Sequence, residues 1–146
     1  MKNKKIINTI FVLFVLFSTN LLAAQNDFFI KGKKLFEKKD LDKSKVFFER
    51  DLVFNPKSEK SYLYLAKIFN SEENEKEEEK NLDTTLLLDP ENEEAMYMLI
   101  NYEIKKSNYS EVKELKEAFI TICKSLCDKK GKIEESLKDI EPKNGS

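Results

Sequence analysis

Cys123 and Cys127 are the two cysteines of a 146-residue chain, and their C-x3-C spacing is the first pattern in it that could carry chemistry. Zinc takes about four ligands and draws them mainly from Cys and His. With two Cys and no His the chain has few candidates for such a site, so no metal is expected. The redox C-x-x-C and the haem-attaching C-x-x-C-H are absent as well. A four-residue helical step would set the two Cα atoms about 6 Å apart, inside the range a disulfide permits but with the side chains poorly angled. A structural disulfide at a distorted helix end is expected if the chain is exported, with two reduced, buried thiols as the other arrangement.

Other catalytic constellations are thin. Nucleophilic triads need a base, and His is missing; none of the 27 acidic residues stands out as half of an acid–base pair. Gly32, Gly131 and Gly145 lie too far apart to form a phosphate-cradling loop. No enzymatic activity and no cofactor are expected. Of 26 basic residues all but Arg50 are Lys, and three of them (Lys2, Lys4, Lys5) lie in the leader described next, leaving 23 basic against 27 acidic. An acidic, Arg-poor chain is a poor phosphate binder, which argues against nucleic acid as a partner.

The elements that would position any site begin after residue 24. Lys2, Lys4 and Lys5 precede the uninterrupted apolar run Ile10 to Phe17, and Leu21-Leu22-Ala23-Ala24 supplies small residues for cleavage. This is the layout of an export signal over 1–24, contacting the membrane only in transit. The alternative is a retained anchor from Ile6 to Ala24, weakened by Asn8, Thr9 and Ser18 to Asn20. Export places the mature chain in a bacterial envelope, periplasmic or secreted. A folded domain is expected over 25–140 and a polar tail over 141–146.

Within that domain Asp51-Leu52-Val53-Phe54-Asn55-Pro56 is followed, 34 residues later, by Thr85-Leu86-Leu87-Leu88-Asp89-Pro90. Each is an apolar helix end closed by Asn or Asp and then Pro, which lacks the amide hydrogen a continuing helix needs. A recurrence at that period is the length of one helix-turn-helix repeat. Counting Pro56 as position 32 of a unit puts Phe28, Gly32, Leu35, Ser44 and Phe48 at 4, 8, 11, 20 and 24; the next unit has Tyr62, Leu65, Ala66 and Phe69 at 4, 7, 8 and 11. These residues resemble the tetratricopeptide repeat over residues 25 to about 124. Lys31, Asp51, Glu78, Ile100 and Glu103 depart from its pattern. The run 72–80, with no apolar residue, reads as a solvated helix start whose acids complement the helix dipole. The third unit's second helix is expected from Ser110 through Leu126, on the stripe Val112, Leu115, Phe119, Ile122, Leu126, with a closing helix over Lys132 to Ile140.

The resemblance implies an all-α, right-handed helical solenoid of about three such units plus a C-terminal capping helix. It implies a concave groove lined by the first helix of each unit, offering Phe29, Lys33, Leu63, Tyr64, Lys67, Tyr97, Met98 and Asn101 to a protein or peptide. Lys33 matches one of the family's carboxylate-clamp positions, but Phe29, Tyr64, Glu94 and Met98 occupy the others, so apolar anchors beside a Lys row are expected instead of a clamp. The same residues would serve a second copy of the chain if the protein self-associates, or belong to the core.

Overall fold

Three residues with left-handed backbone angles, Lys39 (φ 63°), Glu73 (φ 56°) and Ser107 (φ 55°), stand 34 positions apart in a computed structural model that describes residues 27–142. Each reverses the chain after a helix, and each is followed by an amide that reaches back across the turn: Asp40 to the Leu35 carbonyl, Asn74 to Phe69, Asn108 to Glu103, at 2.9–3.0 Å. These bonds satisfy carbonyls that a helix end leaves unpaired.

The helices keep the same interval. After α1 (27–37) come α2 (Leu41–Phe54), α3 (Glu59–Ser71), α4 (Glu75–Leu88), α5 (Glu93–Lys105) and α6 (Tyr109–Ile122). A 3-10 turn (Cys127–Lys129) then leads into α7 (Lys130–Asp139). Among the described residues there is no strand. Helices α2, α4 and α6 are each 14 residues long and start 34 apart; α3 and α5 are each 13. Asn74 and Asn92 cap α4 and α5 by accepting the amides of Glu77 and Ala95, contacts of the kind whose loss costs about 1 kcal/mol.

Two compact units divide at Ser61 and Tyr62. In the first, the Ser44 hydroxyl donates to the Gly32 carbonyl at 2.9 Å, so α1 and α2 cross where the smallest side chains stand. Phe29 packs on Phe48 with ring centroids 5.8 Å apart, and Phe28 stacks on Phe54 at 5.5 Å. Buried Asp51 accepts a hydrogen bond from Ser61 at 2.5 Å, and Ser61 in turn accepts one from Ser58. The Ser58 hydroxyl thus feeds a buried polar chain. Removing a hydrogen-bond partner from a buried carboxylate costs about 1–3 kcal/mol. Ser61→Ala is therefore expected to destabilise by about that amount in urea titration of the helical signal, and Ser61→Thr, which keeps the hydroxyl, by less.

In the second unit Leu63, Ala66, Leu82, Ala95, Leu99 and Tyr102 form one buried cluster, and Met96, Ile100, Val112, Phe119 and Ile133 another. Residues that depart from the repeat pattern find local solutions. Glu78 is buried and accepts from Asn70 at 2.7 Å, Glu103 accepts from Asn108 at 2.8 Å, and Ile100 lies wholly in the core. The acidic run is divided: Glu72 and Glu73 lie in the turn, and Glu75, Glu77 and Glu78 form the first turn of α4.

One expected element is cut short. Helix α6 ends at Ile122, four residues before Leu126, because Cys123 turns extended (φ −60°, ψ 136°) while its amide still bonds the Phe119 carbonyl. The stop falls 34 residues after the one at Asp89, although no proline stands there. The closing helix α7 is where the apolar spacing put it, starting two residues earlier, with Ile133 buried and Leu137 and Ile140 packed on the second cluster. The leader expected over 1–24 lies outside the described residues, as do 25–26 and 143–146. Among the described residues no helix is long and apolar enough to cross a membrane.

Candidate functional site

The site residues expected from the repeat register fall in both units. Phe29 and Lys33 belong to the first, where Phe29 is half-buried on Phe48 and Lys33 is exposed. The other six stand on α3 and α5 of the second unit. Leu63 is 7% exposed and is core, packed among Ala66, Leu82 and Leu99 rather than displayed. Helical geometry gives the reason: residues one apart point about 100° from each other, and on α3 that turn carries Leu63 into the core while Tyr64 stays half-buried at its edge.

Tyr64 is half-buried, and the Lys67 ammonium stands 4.6 Å from its ring centroid, three residues on and thus on the same helix face. Lys67 also pairs with Glu94 of α5 at 2.9 Å. The pair is partly covered on one side, Lys67 being 20% exposed and Glu94 50%. Tyr97 lies half-buried on Phe119, centroids 6.1 Å apart, and Met98 packs on the first cluster. The Asn101 amide nitrogen donates to the Tyr97 carbonyl at 2.6 Å, which holds that side chain along its own helix. What the arrangement offers is the Tyr97 ring packed on the core and the half-buried Tyr64 ring beside Lys67, with an ammonium–carboxylate pair joining α3 to α5. Lys67 is a neutralised cation, not one of a free row.

Two polar clusters escaped the sequence reading. On α4 and α5 the Tyr102 hydroxyl donates to Glu79 at 2.7 Å while the Lys106 ammonium sits 4.4 Å from the Tyr102 ring centroid. Burial, then the Glu79 and Glu103 carboxylates, push the Asp83 carboxyl above its ordinary range. Helical spacing of Glu79 and Asp83, and of Tyr102 and Lys106, was the available signal, but nothing in it joins the two helices. The second cluster is centred on Glu93, at the start of α5, whose carboxylate accepts the amides of Lys124, Ser125 and Leu126 and the Ser125 hydroxyl. Those bonds lower its pKa to about 2, the Ser125 hydroxyl contributing most. Cys123 and Cys127 flank the captured segment at disulfide distance, with Cα atoms 5.3 Å apart. Among the described residues no group of three or more His, Cys, Asp or Glu side chains is placed to hold a metal ion. No family model matches this chain, and no curated protein matches it significantly.

Proposed function

We propose that this chain is a non-enzymatic protein–protein interaction module of the tetratricopeptide-like kind, a right-handed solenoid of about three units capped by α7. The observation that carries the reading is the return of one backbone conformation at Lys39, Glu73 and Ser107, with helix bounds in the same register. A bundle of unrelated helices has no reason to repeat its turns at a fixed interval. Within the second unit, the face bearing Tyr64, Lys67, Tyr97, Met98 and Asn101 is the binding surface for an extended or helical segment of a partner protein. Aromatic side chains held rigidly by a core behind them lose little entropy on binding, which is why they dominate such interfaces. The Lys67–Glu94 pair gives the partner one polar contact of each sign and sets register more than affinity. Export to a bacterial envelope belongs to the same proposal, supported by the basic-then-apolar leader and by the Cys pair at disulfide distance.

The test is a crosslinking capture from envelope extract, followed by titration of the captured partner. Tyr64→Ala is expected to weaken binding by more than about tenfold, with the helical signal and melting point unchanged. Early melting with normal binding in the cold would make Tyr64 a packing residue and move the partner surface elsewhere.

A further inference from the structure

The segment 123–127 has two sets of partners available for the same three amides. In the structure, Lys124, Ser125 and Leu126 have left the helix and point their N–H groups at one carboxylate, that of Glu93, at 2.7–3.1 Å. Successive amides turned to one side form an anion-binding nest. Were α6 to continue instead, those amides would bond the carbonyls of Ile120, Thr121 and Ile122, four residues back. Leu126 would then fall on the apolar stripe of Phe119 and Ile122, where the residue spacing alone puts it.

The cysteines decide between these states. At helical spacing their side chains are poorly angled for a bond, so closing the disulfide works against helix at 123–127 and opening it removes that opposition. A loop this short gains little from restricting the unfolded chain, since that gain grows with loop length. Its larger effect is on local shape. We infer that Cys123–Cys127 is a redox-controlled latch: oxidised, it holds 124–126 as the nest that binds Glu93 and ties the start of α5 to the segment joining α6 and α7; reduced, it lets α6 extend and frees Glu93. A dithiol reductant supplies two electrons and two protons. The S–S bond breaks, both cysteines become thiols, and the reductant leaves as its own disulfide.

The charges facing Glu93 make the latch readable by pH. Asp89, Glu91 and Glu94 surround it on the α5 side. From the loop comes Lys124, whose ammonium is paired with Glu91 at 3.0 Å, while Asp128 and Lys129 pair with each other. The Ser125 hydroxyl and the amides are thus what hold the Glu93 carboxylate in its charged form, against the desolvation of that group. With its folded pKa about 2 and its ordinary value 4.5, the latch is fully engaged above the ordinary value and is lost as pH falls toward 2.

Carbonyl-carbon NMR titration of Glu93 in the purified protein, oxidised and after dithiothreitol, tests this. The oxidised midpoint is expected near 2, with the amide resonances of 124–126 moving in step; on reduction it should rise toward 4.5 while the helical signal grows by about one turn. A midpoint identical in both redox states overturns the inference, as does loss of the helical signal on reduction, which would make the disulfide a staple and not a latch. Glu93→Gln provides a readout that needs no reduced protein. Its 124–126 amides should exchange faster while the disulfide stays closed, and unchanged exchange overturns the link between nest and carboxylate.

Discussion

Phe119→Ala is expected to destabilise the second unit by about 3–5 kcal/mol, the range for removing a fully buried aromatic ring from a packed core. Phe119 is wholly buried among Met96, Ile100, Val112 and Ile133, so the space left behind is walled by helices α5, α6 and α7 together. It also packs against Tyr97, whose ring would lose that aromatic contact. Urea titration followed by far-UV circular dichroism measures the loss, and the chain has no Trp to follow instead. Phe119→Leu, which keeps most of the volume, should recover more than half of the difference. A Phe119→Ala midpoint within experimental error of the parent would mean that α6 is not the central wall of this core.

Gly32→Leu is the second large effect, expected at about 1–3 kcal/mol and arising from overpacking. A Cβ at Gly32 would stand 2.8 Å from Phe48 Cε1 and 2.9 Å from Cδ1, closer than real side chains approach. The ring has little room to yield, because Phe48 is wholly buried and Phe29 leans on it at 5.8 Å. Moving α1 away instead would break the Ser44 bond to the Gly32 carbonyl. The matched control is Gly131→Ala in α7, where an added Cβ meets no atom within 4 Å. That change should stabilise by about 0.5–1 kcal/mol, since alanine is the better helix former at an open position. Equal responses of the two glycines would refute the close crossing.

The latch, the core and the crossing show where sequence reasoning reaches its limit. Apolar spacing and turn residues are local, and they determined a great deal: helices in the order observed, stops at Asn55 and Asp89, and the closing helix. They act within a few residues, through a missing proline amide or a side chain's place on a helix face, so they can be read before any fold is known. The misfit residues were legible as misfits. That Glu78 and Glu103 would be buried and satisfied required the partners Asn70 and Asn108, which the turns between helices bring within reach.

What the tertiary structure alone decided lies at longer range. The stripe Phe119, Ile122, Leu126 argues for a helix through Leu126, yet α6 stops at Ile122, where the Cys123–Cys127 pair closes and a carboxylate 31 to 33 residues earlier in the chain accepts the amides that would have continued the helix. Glu93 by itself looks like an ordinary acid at a helix start, and only the packing of α5 beside α6 brings it to the loop. The same packing turned Lys67 from a free groove cation into the partner of Glu94, and placed Leu63 in the core while its neighbour Tyr64 stayed at the surface. Period and punctuation set where the helices are; which charge meets which amide depends on distances that exist only once the helices have packed.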